Sequence, residues 1–143
     1  MAKSTFSNPL IGKWTYRSFL SIVDPKVPFD KLKFGVGTLE FVEAPMQDVK
    51  GSIGGPGWKL DIKGSMTYGN PMTARFQGKG KISGVEWIYD YEGYLVKPWP
   101  NGVEQIPAIV GTIVRTIPHP SNGPGSKMAP AGFVAQWIAV RVK

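Results

Sequence analysis

The run Glu86-Trp-Ile-Tyr-Asp-Tyr-Glu-Gly-Tyr94 carries more chemistry than any other stretch of the chain. In an extended strand alternate residues share a face, so Trp87, Tyr89, Tyr91 and Leu95 line one side and Ile88, Asp90, Glu92 and Tyr94 the other. Aromatic rings with phenolic hydroxyls suit a planar or apolar ligand, gripped by its body and oriented by hydrogen bonds. The same rings favour strands for packing alone, so they suit a filled core as well. His119, the one histidine, stands in Arg115-Thr-Ile-Pro-His-Pro-Ser121, where an apolar strand runs out into a loop. A histidine so placed fits general acid–base work at a cavity mouth, with Tyr16, Asp90, Glu92 and Glu104 as partners for it. Trp99, between Pro98 and Pro100, sits on a stiffened connection and suits a pocket rim or a plug for a neighbour.

Several chemistries are excluded or unsupported. The chain has no cysteine and one histidine, which leaves no disulfide, no thiolate nucleophile and no pair of histidines for a metal. We expect no metal and no cofactor. Ser18, Ser65 and Ser83 lie outside any Gly-x-Ser-x-Gly turn, so a hydrolase triad has no footing. Gly78-Lys-Gly-Lys-Ile-Ser-Gly84 lacks the ending of a phosphate-binding loop and reads as a hairpin. The net charge of +7 is spread over single lysines and arginines, many beside an acid, and describes a solvated basic surface rather than a nucleic-acid track. No apolar run approaches a membrane span, and Met1-Ala-Lys-Ser-Thr5 is no signal peptide, so a cytoplasmic location is expected.

The elements that must position these residues are strands. Eighteen glycines and thirteen prolines are dispersed through 143 residues, which breaks up helices everywhere and leaves one turn-rich, all-β domain over 1–143. Alternating or apolar runs bounded by turn residues fall at 13–23, 37–43, 49–53, 58–66, 72–80, 85–95, 108–117 and 132–142. We expect a loose N-terminus at 1–9 and a flexible loop at 118–131. About eight short-linked strands form an antiparallel up-and-down β-barrel, with a β-sandwich as the alternative. The last two strands are apolar on both faces, as Val110, Val114, Ile138 and Val140 beside Ile109, Ile113, Trp137 and Ala139 illustrate. That pattern predicts a homo-oligomer.

Leu10-Ile-Gly-Lys-Trp-Thr-Tyr16 resembles the Gly-x-Trp opening of calycins, the lipocalins, avidins and their relatives. The resemblance implies an up-and-down barrel in which Trp14 packs across the closed end. It also implies a basic residue over that ring, for which Arg141 and Arg115 are the candidates. No terminal helix, Thr-Asp-Tyr loop or avidin-type polar set accompanies the tripeptide.

Three functions fit these residues. The first is a barrel that binds a small apolar or aromatic molecule through Tyr16, Tyr89, Tyr91, Trp99 and Trp137, with Arg115 or Asp90 supplying polarity. The second is a cofactor-independent cyclase, isomerase or lyase, with Tyr16, Asp90, Arg115 and His119 as candidate catalytic residues. The third is a solid barrel that serves as an interaction module. A buried acid or base separates the second from the third.

Overall fold

Period-two alternation of apolar and polar side chains runs through strand after strand, and the apolar faces close around a common axis. The barrel strands are β1 (Gly12–Leu20), β2 (Lys33–Val42), β3 (Val49–Gly55), β4 (Trp58–Thr67), β5 (Thr73–Ile82), β6 (Val85–Leu95), β7 (Ala108–Arg115) and β10 (Val134–Val140). Between the last two, β8 (His119–Pro120) and β9 (Met128–Ala129) pair as a small separate hairpin. The computed structural model describes residues 8–121 and 125–143. All barrel pairings are antiparallel, and the order β1-β10-β7-β6-β5-β4-β3-β2 closes from β2 back to β1. The result is the up-and-down barrel, not the sandwich, and closure leaves the barrel itself without an edge strand.

Alternation sets which residues face inward. Trp14, Tyr16 and Ser18 of β1 are buried, as are Leu60 and Ile62 of β4 and Tyr89, Tyr91 and Gly93 of β6. On β7 and β10, whose composition left the phase open, Ile109, Ile113 and Arg115 face inward with Ala135, Trp137 and Ala139. Their outer faces carry Val110, Val114, Val134, Ile138 and Val140. Trp137 has room because β6 is bare opposite it: a Cβ on Gly93 would stand 2.7 Å from the indole.

One end of the barrel is filled. Trp14 is fully buried among Leu10, Leu39, Phe41, Ile109 and Ala139, and its indole N–H donates to the carbonyl of Leu10 at 2.8 Å. The guanidinium of Arg141 lies over the Trp14 ring, 4.5 Å from its centroid, and donates to the carbonyls of Ile11 and Pro9. Gly12 has φ +128°, and a Cβ there would come within 2.6 Å of that guanidinium. The first residue of the Gly-x-Trp tripeptide is therefore glycine for conformation and for space. Of the two basic candidates, Arg141 covers Trp14, and Arg115 stands at the opposite end.

The strand ends shift by up to four residues from the sequence reading, β1 for example stopping at Leu20 instead of residue 23, and two differences bear on the site. β2 begins at Lys33 instead of residue 37, because Gly35 and Gly37 resemble loop punctuation yet pair with Ser18 and Tyr16 in the β1–β2 ladder. The stretch expected as a loop at 118–131 contains the β8–β9 pairing, and residues 122–124 of it lie outside the described residues. Of the expected loose N-terminus, residues 1–7 likewise lie outside them. Asn8 is anchored, its side chain accepting the backbone N–H of Leu10 at 2.9 Å.

Candidate functional site

At the end opposite Trp14 the barrel is hollow. A cavity of about 450 Å³ opens where β1 ends and β2 begins, within the usual range for small-molecule sites. Its walls include Tyr16, Ser18, Trp58, Leu60, Tyr91 and Ile113 lower down, with Phe34, Trp87, Tyr89, Arg115 and His119 around them. Below lies a packed aromatic floor. Tyr91 stacks on Phe76 with centroids 4.9 Å apart, and Tyr16 meets Tyr91 edge-on at 6.3 Å and Trp137 at 6.1 Å. Burial pushes the Tyr16 hydroxyl up to about 12 and raises Tyr91 well above the ordinary tyrosine value. Both remain neutral phenols at any working pH, able to orient a ligand by hydrogen bonds and unable to serve as bases.

A chain of three polar side chains crosses the upper wall. Arg115 Nε donates to the Tyr89 hydroxyl at 3.2 Å, and that hydroxyl lies 2.9 Å from His119 Nε2. His119 Nδ1 is 3.0 Å from the carbonyl of Pro120, which only accepts, so Nδ1 carries the ring proton. Nε2 of the neutral ring is then the acceptor, and Tyr89 donates to it. Burial pulls the His119 pKa below its usual 6.5, the Arg115 charge acting the same way and the Pro120 bond opposing both. The imidazole is clamped by Trp87, whose ring stacks on it at 4.0 Å with planes 14° apart.

The rim is built by a bulge. In the β1–β2 ladder Ser18 pairs with Gly35 and Phe19 with Lys33, so Phe34 is the extra residue with no partner opposite. A bulge redirects its side chain, and Phe34 joins the cavity wall and stacks on Phe133 at 5.4 Å. Arg115 is held between these rings: its guanidinium carbon lies 4.9 Å from the Phe133 centroid and 5.8 Å from those of Phe34 and Tyr89. Nη1 also donates to the carbonyl of Pro130 at 3.1 Å, tying the entrance of β10 to the wall.

The structure therefore brings together Tyr16, Tyr89, Tyr91, Arg115 and His119 from the residues singled out by sequence. Trp137 lies beneath them in the floor, fully buried, its N–H satisfied by the carbonyl of Thr112 at 2.9 Å. Asp90 and Trp99 lie elsewhere. Asp90 faces outward from β6, bonded to Gln77 and Thr116, because strand alternation puts it on the face opposite Tyr89. Trp99 is 78% exposed on the β6–β7 connection, at the Trp14 end and far from the cavity mouth. Reasoning from residues missed Phe34, Trp58 and Ser18 as wall residues, and Phe133 as the ring that backs Phe34 and Arg115. Alternation from Trp14 carried the signal for Ser18, and alternation along β4 that for Trp58.

Two buried polar atoms in this wall, Ser18 Oγ and Trp87 Nε1, find no hydrogen-bond partner among the described residues. Ser18 is 1% exposed. Among the described residues no three His, Asp or Glu side chains gather as a metal would require, and no helix is long and apolar enough to cross a membrane. No family model matches the chain, and no curated protein or solved structure matches it either.

Proposed function

We propose that the chain is a calycin-like binding barrel that holds one small apolar or aromatic molecule in the cavity above Tyr16 and Tyr91. The carrying observation is that apolar, aromatic walls enclose about 450 Å³ of open space there beside one buried cation, Arg115. Gly12-Lys13-Trp14 with Arg141 over the indole supports the calycin side of the reading. The first test is a native mass spectrum of freshly purified protein. Extra mass that leaves on denaturation is the expected result, as is saturable heat on titration with naphthalenemethanol. A bare ion together with no saturable binding of any apolar probe overturns the reading.

A second reading, a cofactor-independent cyclase, isomerase or lyase, is favoured by the Arg115–Tyr89–His119 chain. It supplies one neutral base and one donor inside a largely apolar cavity. Comparison of the molecules released from the unmodified protein and from His119→Gln separates the two. An enzyme carries product in the first and substrate in the second, whereas a binder carries the same molecule in both. The apolar outer faces of β7 and β10 support self-association, which a monomeric mass at micromolar concentration would overturn.

A further inference from the structure

The charge inside the cavity narrows the ligand further. Arg115 is 7% exposed and carries a full positive charge. The chain has ten Asp and Glu side chains, and none of them meets it. Nine are exposed, and the tenth, Glu40, is half-buried on the outer face beside Lys13. No Asp or Glu stands among the cavity walls. Its hydrogen bonds within the described residues go to neutral acceptors, the Tyr89 hydroxyl and the Pro130 carbonyl, and engage two of the five N–H donors of a guanidinium. Ring faces around it lessen the desolvation of a buried cation but do not neutralise it.

The remaining polar groups of the wall carry no negative charge: they are the hydroxyls of Tyr16, Ser18, Tyr91 and Ser121, the Trp87 indole and the His119 ring. Trp87 Nε1 is a donor and nothing else, and it is unpartnered. Both nitrogens of His119 are already engaged, by Tyr89 and Pro120. The cavity thus presents one uncompensated cation and otherwise neutral groups to whatever enters it. A neutral apolar molecule would leave that charge unanswered, and a cationic one would be repelled.

We propose that the ligand is an organic carboxylate, its apolar or aromatic body against Tyr16, Leu60 and Tyr91 and its carboxylate on Arg115. This rests on the pocket reading above and adds the charge and head group. A carboxylate is acceptor-only and matches the planar fork of the guanidinium, which makes the pair both charged and directional. Arg115 is then a specificity residue, positioned by Pro130 and by the rings of Phe34 and Phe133.

The test is a matched series on the full chain: naphthoic acid, naphthamide and naphthalenemethanol, titrated calorimetrically at neutral pH and one fixed ionic strength. The acid should bind about tenfold or more tightly than the amide or the alcohol, as a charge-assisted pair in a dry site predicts. Arg115→Met should erase that preference, weakening the acid about tenfold or more relative to the alcohol. Arg115→Lys, which keeps the charge and loses the fork, should retain part of it, and near-ultraviolet dichroism of both variants reports whether they fold. Equal binding of all three probes by the unmodified chain overturns the carboxylate and leaves the pocket standing. A preference that survives in a folded Arg115→Met also overturns it. Binding of none of the three removes the pocket reading and this inference together. The comparison among probes on the unmodified chain decides the matter even where a variant fails to fold.

Discussion

The two ends of the barrel use one device for opposite purposes. At each end an arginine lies across aromatic rings and donates to a backbone carbonyl: Arg141 over Trp14 at 4.5 Å, and Arg115 over Phe133 at 4.9 Å. At the first end no buried polar side-chain atom of the described residues is left without a partner. Trp14 donates to Leu10, apolar side chains fill the space beneath it, and Arg141 sits half-buried where water still reaches. At the second end the arginine is buried, a tryptophan N–H and a serine hydroxyl lack partners, and some 450 Å³ is left open. The contrast teaches that the mouth is the less completely packed end, and on the reading proposed above a bound molecule completes it.

The sharpest way to break that comparison is to empty the finished end. Trp14→Ala should cost about 3–5 kcal/mol, the range for truncating a large buried aromatic, and lower the denaturation midpoint in urea accordingly. A loss of under about 1 kcal/mol would mean that the closed end is no better packed than the mouth.

The paired arginines give the next effect. Arg141→Met should cost on the order of 2 kcal/mol, from a half-buried cation–π contact and the bonds that tie the N-terminal segment to the last strand. Arg115→Met should cost under about 1 kcal/mol, because it also removes an uncompensated buried charge. Equal losses at the two positions would show that Arg115 is structural, held for its bond to Pro130.

How legible these two ends were in the sequence differs for physical reasons. The closed end was written in a tripeptide and a late arginine, because its parts lie at fixed positions on regular strands. Strand alternation also placed Tyr16, Tyr89 and Tyr91 inside, and the apolar strand leading to His119 put Arg115 near it. The rest of the mouth depends on irregularity. Phe34 enters the wall through a one-residue bulge that no period predicts, and Phe133 precedes its strand. Asp90 was attractive for its neighbours, but the same alternation that buries Tyr89 expels it. Trp99 was attractive for its flanking prolines, which report stiffness and say nothing about which end of the barrel the connection serves.

Acid should act on the mouth and spare the closed end. His119 is held neutral in the fold, its pKa below that of the unfolded chain, chiefly by burial and then by Arg115. The unfolded state therefore binds the proton first as pH falls below about 6.5, so the contribution of His119 is complete above that value and declines beneath it. Tyr89 faces the ring from β6 and Arg115 from β7, and neither can compensate with a negative charge. A urea midpoint followed from pH 8 down to 5, above most carboxylate titration, should fall through this window and stay flatter in His119→Gln. A rise in stability on acidification would mean that His119 gains a partner for its charged form.

The smallest effect is the most pointed. Trp87→Phe keeps a ring to stack on His119 and removes the N–H that has no acceptor. In a finished core, deleting an indole N–H breaks a hydrogen bond worth about 1 kcal/mol, as it would for Trp14. Here nothing is broken, and a desolvated donor disappears, so stability should hold within about 0.5 kcal/mol or rise. Where the same change weakens a bound carboxylate, the lost N–H was reserved for the ligand. A clear destabilisation of the empty protein would instead place a satisfied hydrogen bond at Trp87, and the mouth would then be as complete as the end that Trp14 closes.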